Sequence, residues 1–183
     1  MALLPGGPAL ADFRDPIGML GDCHRRVERF LGAQVRVAAC PADQPLDRLH
    51  AEAVRASVHY FETNAPWHTA DEEDSLFPRL RASSHPQAAE AARIADALQG
   101  EHAEMAPLHD LVHAHLRRWL EEGRLDAASH GALGAALAEM ARTYADHIAR
   151  EDGTLFPLAA RILTPEDRVV MGQEMRQRRQ EEG

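Results

Sequence analysis

The stretch His68-Thr69-Ala70-Asp71-Glu72-Glu73-Asp74-Ser75-Leu76-Phe77-Pro78 returns 79 residues later as His147-Ile148-Ala149-Arg150-Glu151-Asp152-Gly153-Thr154-Leu155-Phe156-Pro157. Histidine, glutamate and the Leu-Phe-Pro run keep their offsets in both copies. A lone histidine stands about 44 residues before each copy, His24 before the first and His102 before the second, so the two halves of the chain carry one pattern. With 11 histidines and 29 carboxylates, composition alone yields about one or two histidines followed four residues on by an acid; there are three, at His24, His68 and His147. The joint repetition, not the spacing by itself, carries the argument.

Around this repeat, punctuation divides the chain into long helices. Asp15-Pro16 is a cap with proline in the first turn, opening a helix to about Ala39, where Cys40-Pro41 ends it. Pro45-Leu46-Asp47 opens a second helix that runs to about Ser84, with a kink or brief break expected at Asn64-Ala65-Pro66, because proline lacks the backbone donor. A third covers Gln87 to Glu122 and stops at Gly123, a fourth runs from Ala127 to Ile162, and Thr164-Pro165 starts a short fifth whose Arg- and Glu-rich end is expected to fray. Alanine dominates the apolar residues and aromatics make up only 5% of the chain, which favours helix over sheet. The expected fold is all-α: an up-down-up-down four-helix bundle with a short C-terminal fifth helix. Residues 1–14 read as an N-terminal arm, 15–163 as the bundle, and 164–183 as the terminal helix and tail.

Composition narrows the function. All 20 basic residues are arginine, and the net charge of −9 repels phosphate backbones, so nucleic acid is not an expected partner. No apolar run is long enough for a membrane span and no signal-peptide pattern opens the chain, which points to a cytoplasmic protein with no membrane partner. Cys23 and Cys40 form no CxxC pair and read as reduced thiols, Cys23 as a small buried one.

The chemistry lies in the repeat. Spacing of i,i+4 puts His68 with Glu72, and His147 with Glu151, on one helix face each. In an antiparallel bundle those faces meet the faces of His24 and His102, which Leu20, Val27 and Leu31, and Met105, Leu116 and Leu120, mark as apolar. A buried carboxylate pair is costly unless protonated or metal-bound. Four imidazoles and two glutamates can hold two metal ions, two histidines on each ion and both carboxylates bridging. Zinc or manganese would accept such ligands, but a carboxylate-bridged pair inside a bundle matches di-iron and di-manganese sites better than structural zinc.

These segments resemble the hemerythrin-like, or HHE cation-binding, family, of the bacterial single-domain type. The likeness covers about Asp15 to Ile162 through Cys23-His24-Arg25-Arg26, Pro66-Trp67-His68 to Glu73, Glu101-His102 and His147 to Glu151. The resemblance implies two iron ions, oxo- or hydroxo-bridged when oxidised, with His24 and His68 on one, His102 and His147 on the other, and Glu72 and Glu151 bridging. It further implies a protein that binds or senses O2, peroxide or iron, with O2 or peroxide as the small ligand. The alternatives are a small di-iron peroxidase or oxidase-like enzyme, or a metal-tied interaction module whose Arg-rich helix from Glu166 to Gln180 contacts a partner protein. One departure stands out: the oxygen carriers of the family have a further histidine one turn after the third-helix ligand, and here that position is Ala106. Glu28, its counterpart in the first half, or water are the candidate replacements, with Glu73 and Glu104 expected to point away.

Tyr144, three residues before His147, is expected to face the interior, either as a donor to a ligand at the metals or bonded to a backbone carbonyl. His109 lies near the face of His102 with His113 and His115 on its edges, and His59 falls at their level. They read as core-edge histidines, with a second metal site or proton path as the alternative. His50, His85 and His130 lie near helix ends and read as surface residues.

Overall fold

In a computed structural model, which describes residues 10–181, proline and cap chemistry set the helix boundaries. Asp15 accepts a hydrogen bond from the Gly18 N–H and caps α1 (Pro16–Ala38), and Asp47 does the same for His50 at the head of α2 (Arg48–Thr63). Pro66 enforces the expected break, after which the chain continues as α3 (Ala65–Ala70), a π-helical turn (Asp71–Leu76) and α4 (Phe77–Ala82). The long α5 (Ala88–Glu122) passes through Pro107 and ends at Gly123, whose φ of 72° is the left-handed cap read from the sequence. Asp126 caps α6 (Ala127–Arg150), which leads into a second π-helical turn (Glu151–Leu155), α7 (Phe156–Ile162) and finally α8 (Pro165–Glu181).

The rods close into a four-cornered bundle. One corner is α1, packed on α2 and α6; α5 packs on α6 and α4, so α2 to α4 form one broken rod and α6 with α7 another. Among the described residues there is no strand, and no helix is long and apolar enough to cross a membrane.

Two apolar clusters form the interior. One is built from Val27, Leu31, Val58, Phe61, Leu116, Trp119, Leu137 and Met140, the other from Leu20, Leu76, Phe77, Leu98, Leu155, Phe156 and Met171. Each large side chain so buried contributes roughly 1.5–3 kcal/mol. The lone histidines fall at the seam, His24 between Leu20 and Val27, and His102 between Leu98 and Val112. The same apolar faces that drive collapse therefore place imidazoles where water is excluded.

The fifth helix departs from expectation. Instead of fraying, its arginine-rich end docks on the first π turn: Arg178 donates to Asp71 at 2.7 Å and to the Ser75 hydroxyl at 2.6 Å, and Arg179 donates to Asp71 at 2.6 Å. Asp71 is fully buried, and two guanidinium groups offset the cost of its charge. Arg79 adds a pair with Glu174 at 2.8 Å. Of the N-terminal arm, residues 1–9 lie outside the described residues, as do 182–183 of the tail. The remainder of the arm is anchored, the Ala11 N–H donating to Asp22 at 2.7 Å and Phe13 lying under Arg176 and Arg179. Gly172 is required there, because a methyl group on its Cα would run into the Phe13 carbonyl.

Candidate metal centre

The six side chains singled out by the repeat meet at one place. α1 supplies His24, α3 His68, α5 His102 and α6 His147, while Glu72 and Glu151 each stand at the start of a π turn. His24, His68, Glu72 and Glu151 form one group of convergent ligand atoms, and His102, His147 and Glu151 a second sharing Glu151. Nε2 of His24 lies 3.0 Å and Nε2 of His147 3.2 Å from Glu151 Oε2; Nε2 of His68 and of His102 lie 3.5 and 3.6 Å from the two oxygens of Glu72. Both glutamates are fully buried.

The Leu-Phe-Pro runs explain the π turns. Pro78 and Pro157 have no N–H to give, and their rings crowd the carbonyl four residues back, so the preceding turn widens and the N–H groups of Phe77 and Phe156 reach Glu72 and Glu151 five residues away. The widened turns bring in the residue after each glutamate. Glu73 accepts a hydrogen bond from His102 Nδ1 at 2.7 Å, and Asp152 accepts from His24 Nδ1 at 2.8 Å. Glu101 accepts from His147 Nδ1 at 2.9 Å and also pairs with Arg150. A carboxylate only accepts, so these three rings carry a proton on Nδ1 and direct Nε2 inward, the arrangement that orients metal-binding imidazoles. His68 differs: its Nδ1 is buried without a hydrogen-bond partner, and at the place equivalent to Glu101 the first half of the chain has Cys23, a poor acceptor.

Electrostatics set the rest. Burial, then repulsion from Glu151, raises Glu72 well above the usual carboxylate range. Burial acts on Glu151 in the same direction, but the imidazoles of His147 and His24 outweigh it and hold Glu151 ionised. Burial, aided by His24, pulls His68 down to about 3, and burial lowers His102. Burial opposes protonation of His147 as well, yet Glu151 and Glu101 raise it overall.

Do these residues fit a pair of cations? All four oxygens of Glu72 and Glu151, and His24 Nε2, are buried with no aligned hydrogen-bond partner, a condition that costs free energy unless something fills the gap. The Nε2 atoms of His102 and His147 face each other at 3.1 Å with both Nδ1 protons committed outward, so only a single proton or a cation can join them. The donor set and its orphaned atoms fit divalent cations.

Other expectations fared unevenly. Glu28 and Glu104 are exposed and take no part, while Glu73, expected to point away, reaches His102, because the π turn rotates it where an α-helix would not. Tyr144 is not bonded to a backbone carbonyl: its hydroxyl meets His109 Nε2 at 2.9 Å. His113 is buried in the core edge beside His109, His115 is half-buried, and His59 is exposed, away from both. His130 is no free surface residue either, its Nε2 donating to the Ala38 carbonyl at 2.9 Å. Asp152 and Glu101, quoted in the repeat and in the Glu101-His102 pair, had no role assigned from sequence, although Glu73 and Asp152 occupy equivalent places in the two copies.

An all-α bundle with a histidine- and glutamate-lined interior defines the class of cation-binding helical domains. The chain belongs to the hemerythrin HHE cation-binding domain family, whose model matches residues 15–159. It is also similar to an uncharacterised protein of Haemophilus influenzae, with 29% identity over 174 residues that cover 93% of each chain.

Proposed function

We propose that this protein is a non-haem di-iron protein of hemerythrin type that binds or senses O2, peroxide or iron. The observation that carries the reading is the convergence of His24, His68, Glu72, His102, His147 and Glu151 on one buried spot with their carboxylate oxygens unpaired. His24 and His68 would hold one ion, His102 and His147 the other, and Glu72 and Glu151 would lie between them. Iron bound there would supply two adjacent centres able to change oxidation state towards O2 or peroxide. The chain's part is to exclude water through the two apolar clusters, to orient the imidazoles through Glu73, Glu101 and Asp152, and to offset with two acids part of the positive charge that a pair of divalent ions would bring.

Anaerobic reconstitution with ferrous iron tests this. Two irons per chain are expected, with the near-ultraviolet and visible bands of an oxidised di-iron pair developing in air. Uptake of about one metal, or two irons retained after Glu72→Ala and Glu151→Ala, would refute the bridged pair. Zinc or manganese analysis of the protein as isolated checks the choice of metal.

A second reading, a small peroxidase or oxidase, is favoured by one feature: a cleft of about 620 Å³ lies against His102 where Ala106 leaves space. That size suits an organic molecule. Peroxide turnover with an added reductant would support the enzyme, and a stable oxygenated species that releases O2 under vacuum would support binding.

A further inference from the structure

The centre is sealed, and cations need a way in. His24 is 1% exposed, Glu72 and Glu151 are not exposed at all, and the gap between the ligands is only about 20 Å³. The cleft of about 620 Å³ beside α5 ends against this gap: Ala65, Thr69, His102 and Tyr144 line both. The cleft therefore reaches inward to the ring of His102, with the Tyr144–His109 pair as one side of its neck.

Its walls have a sign. Glu62, Glu73, Asp74 and Asp110 face Arg117 alone. Arg117 is tied to Glu62, and Glu73 is spent on His102, while Asp74 and Asp110 make no hydrogen bond or salt bridge with the described side chains. Beside Asp110, one helical turn apart, lie His109 and His113. His113 is 5% exposed, and its Nε2, like Nδ1 of His109, has no hydrogen-bond partner. Burial keeps both rings unprotonated at neutral pH, His109 being pulled down to about 4, so they offer lone pairs and no repulsion to a passing cation.

We infer that this cleft is the inlet for divalent cations: Asp74 and Asp110 draw them from solution, and the neck at Thr69, His102 and Tyr144 passes them to the centre. A wall with two unneutralised carboxylates serves a cation and does nothing for a neutral gas. The inference rests on reading the centre as a metal site and adds the route by which it is filled.

The test is the rate of loading, separate from any activity. Fe2+ is mixed anaerobically with the full-length metal-free protein, and unbound ion is trapped at timed intervals by a chromogenic chelator. At low ionic strength the Asp74→Asn/Asp110→Asn variant should load about tenfold more slowly than the parent, and the difference should fall below about twofold in 0.5 M salt, because screening removes steering. A control with the same change in net charge, Glu28→Gln/Glu139→Gln, should load at the parent rate, and all should bind the same final amount. Ala106→Trp, which fills the cleft, should slow loading at every salt concentration; if circular dichroism shows that it has lost its helices, the aspartate pair decides alone. Equal rates for the parent and the aspartate variant overturn the inlet, as does a reduced final stoichiometry, which would make the aspartates ligands. If the parent itself takes up no iron, the metal centre fails and the inlet with it.

Discussion

Asp152, on the second π turn, accepts a hydrogen bond from His24 Nδ1 at 2.8 Å, across 128 residues of sequence. Glu73 makes the equivalent bond to His102 in the other direction, so each half of the chain orients the lone histidine of the other. Such outer carboxylates fix ring tautomer and aim. Asp152→Asn and Glu73→Gln should each weaken metal affinity by about 10- to 100-fold while leaving the helical content intact. Competition titration against a calibrated chelator, alongside circular dichroism, checks this.

Glu72 is a liability to the metal-free chain. It is buried, beside a second carboxylate, with neither oxygen hydrogen-bonded. Glu72→Gln removes the repulsion at nearly constant volume, so the metal-free variant should melt above the parent, by roughly 1 kcal/mol of stability, while losing the ability to hold two ions. A lower melting temperature for the metal-free variant would contradict this account.

The docking of α8 should show an asymmetry. Arg178→Met/Arg179→Met strands the buried Asp71 carboxylate and should cost about 3–5 kcal/mol. Asp71→Ala frees two guanidinium groups that still reach water, about one-fifth exposed in the folded chain, and should cost less. Urea denaturation of the two variants gives the comparison directly.

His109 makes stability depend on pH. Burial lowers it from its ordinary value of 6.5 to about 4, so the unfolded chain binds a proton that the folded chain refuses. Its contribution is therefore complete above pH 6.5 and is lost as pH falls from 6.5 towards 4. His109→Phe should flatten that part of the stability-against-pH curve, followed by chemical denaturation at a series of pH values.

The sequence by itself determined the helices, their order and the six ligand candidates, because these depend on local rules. Capping by Asp15, Asp47 and Asp126, the glycine stop at Gly123 and the i,i+4 spacing of His68 with Glu72 all act within a turn or two. The duplicated pattern then supplied what local rules lack, a reason to bring distant histidines together. At the two π turns regular α-helical geometry does not hold. Glu73 looked misdirected because an α-helix turns 100° per residue, and only the packed chain, with Pro78 forcing a π turn and α8 clamping Asp71 and Ser75, rotates it onto His102. The partners of Tyr144, Arg178 and Asp152, and the cleft that Ala106 leaves open, are likewise decided by tertiary structure, since each joins residues whose relative position no spacing along one helix can fix.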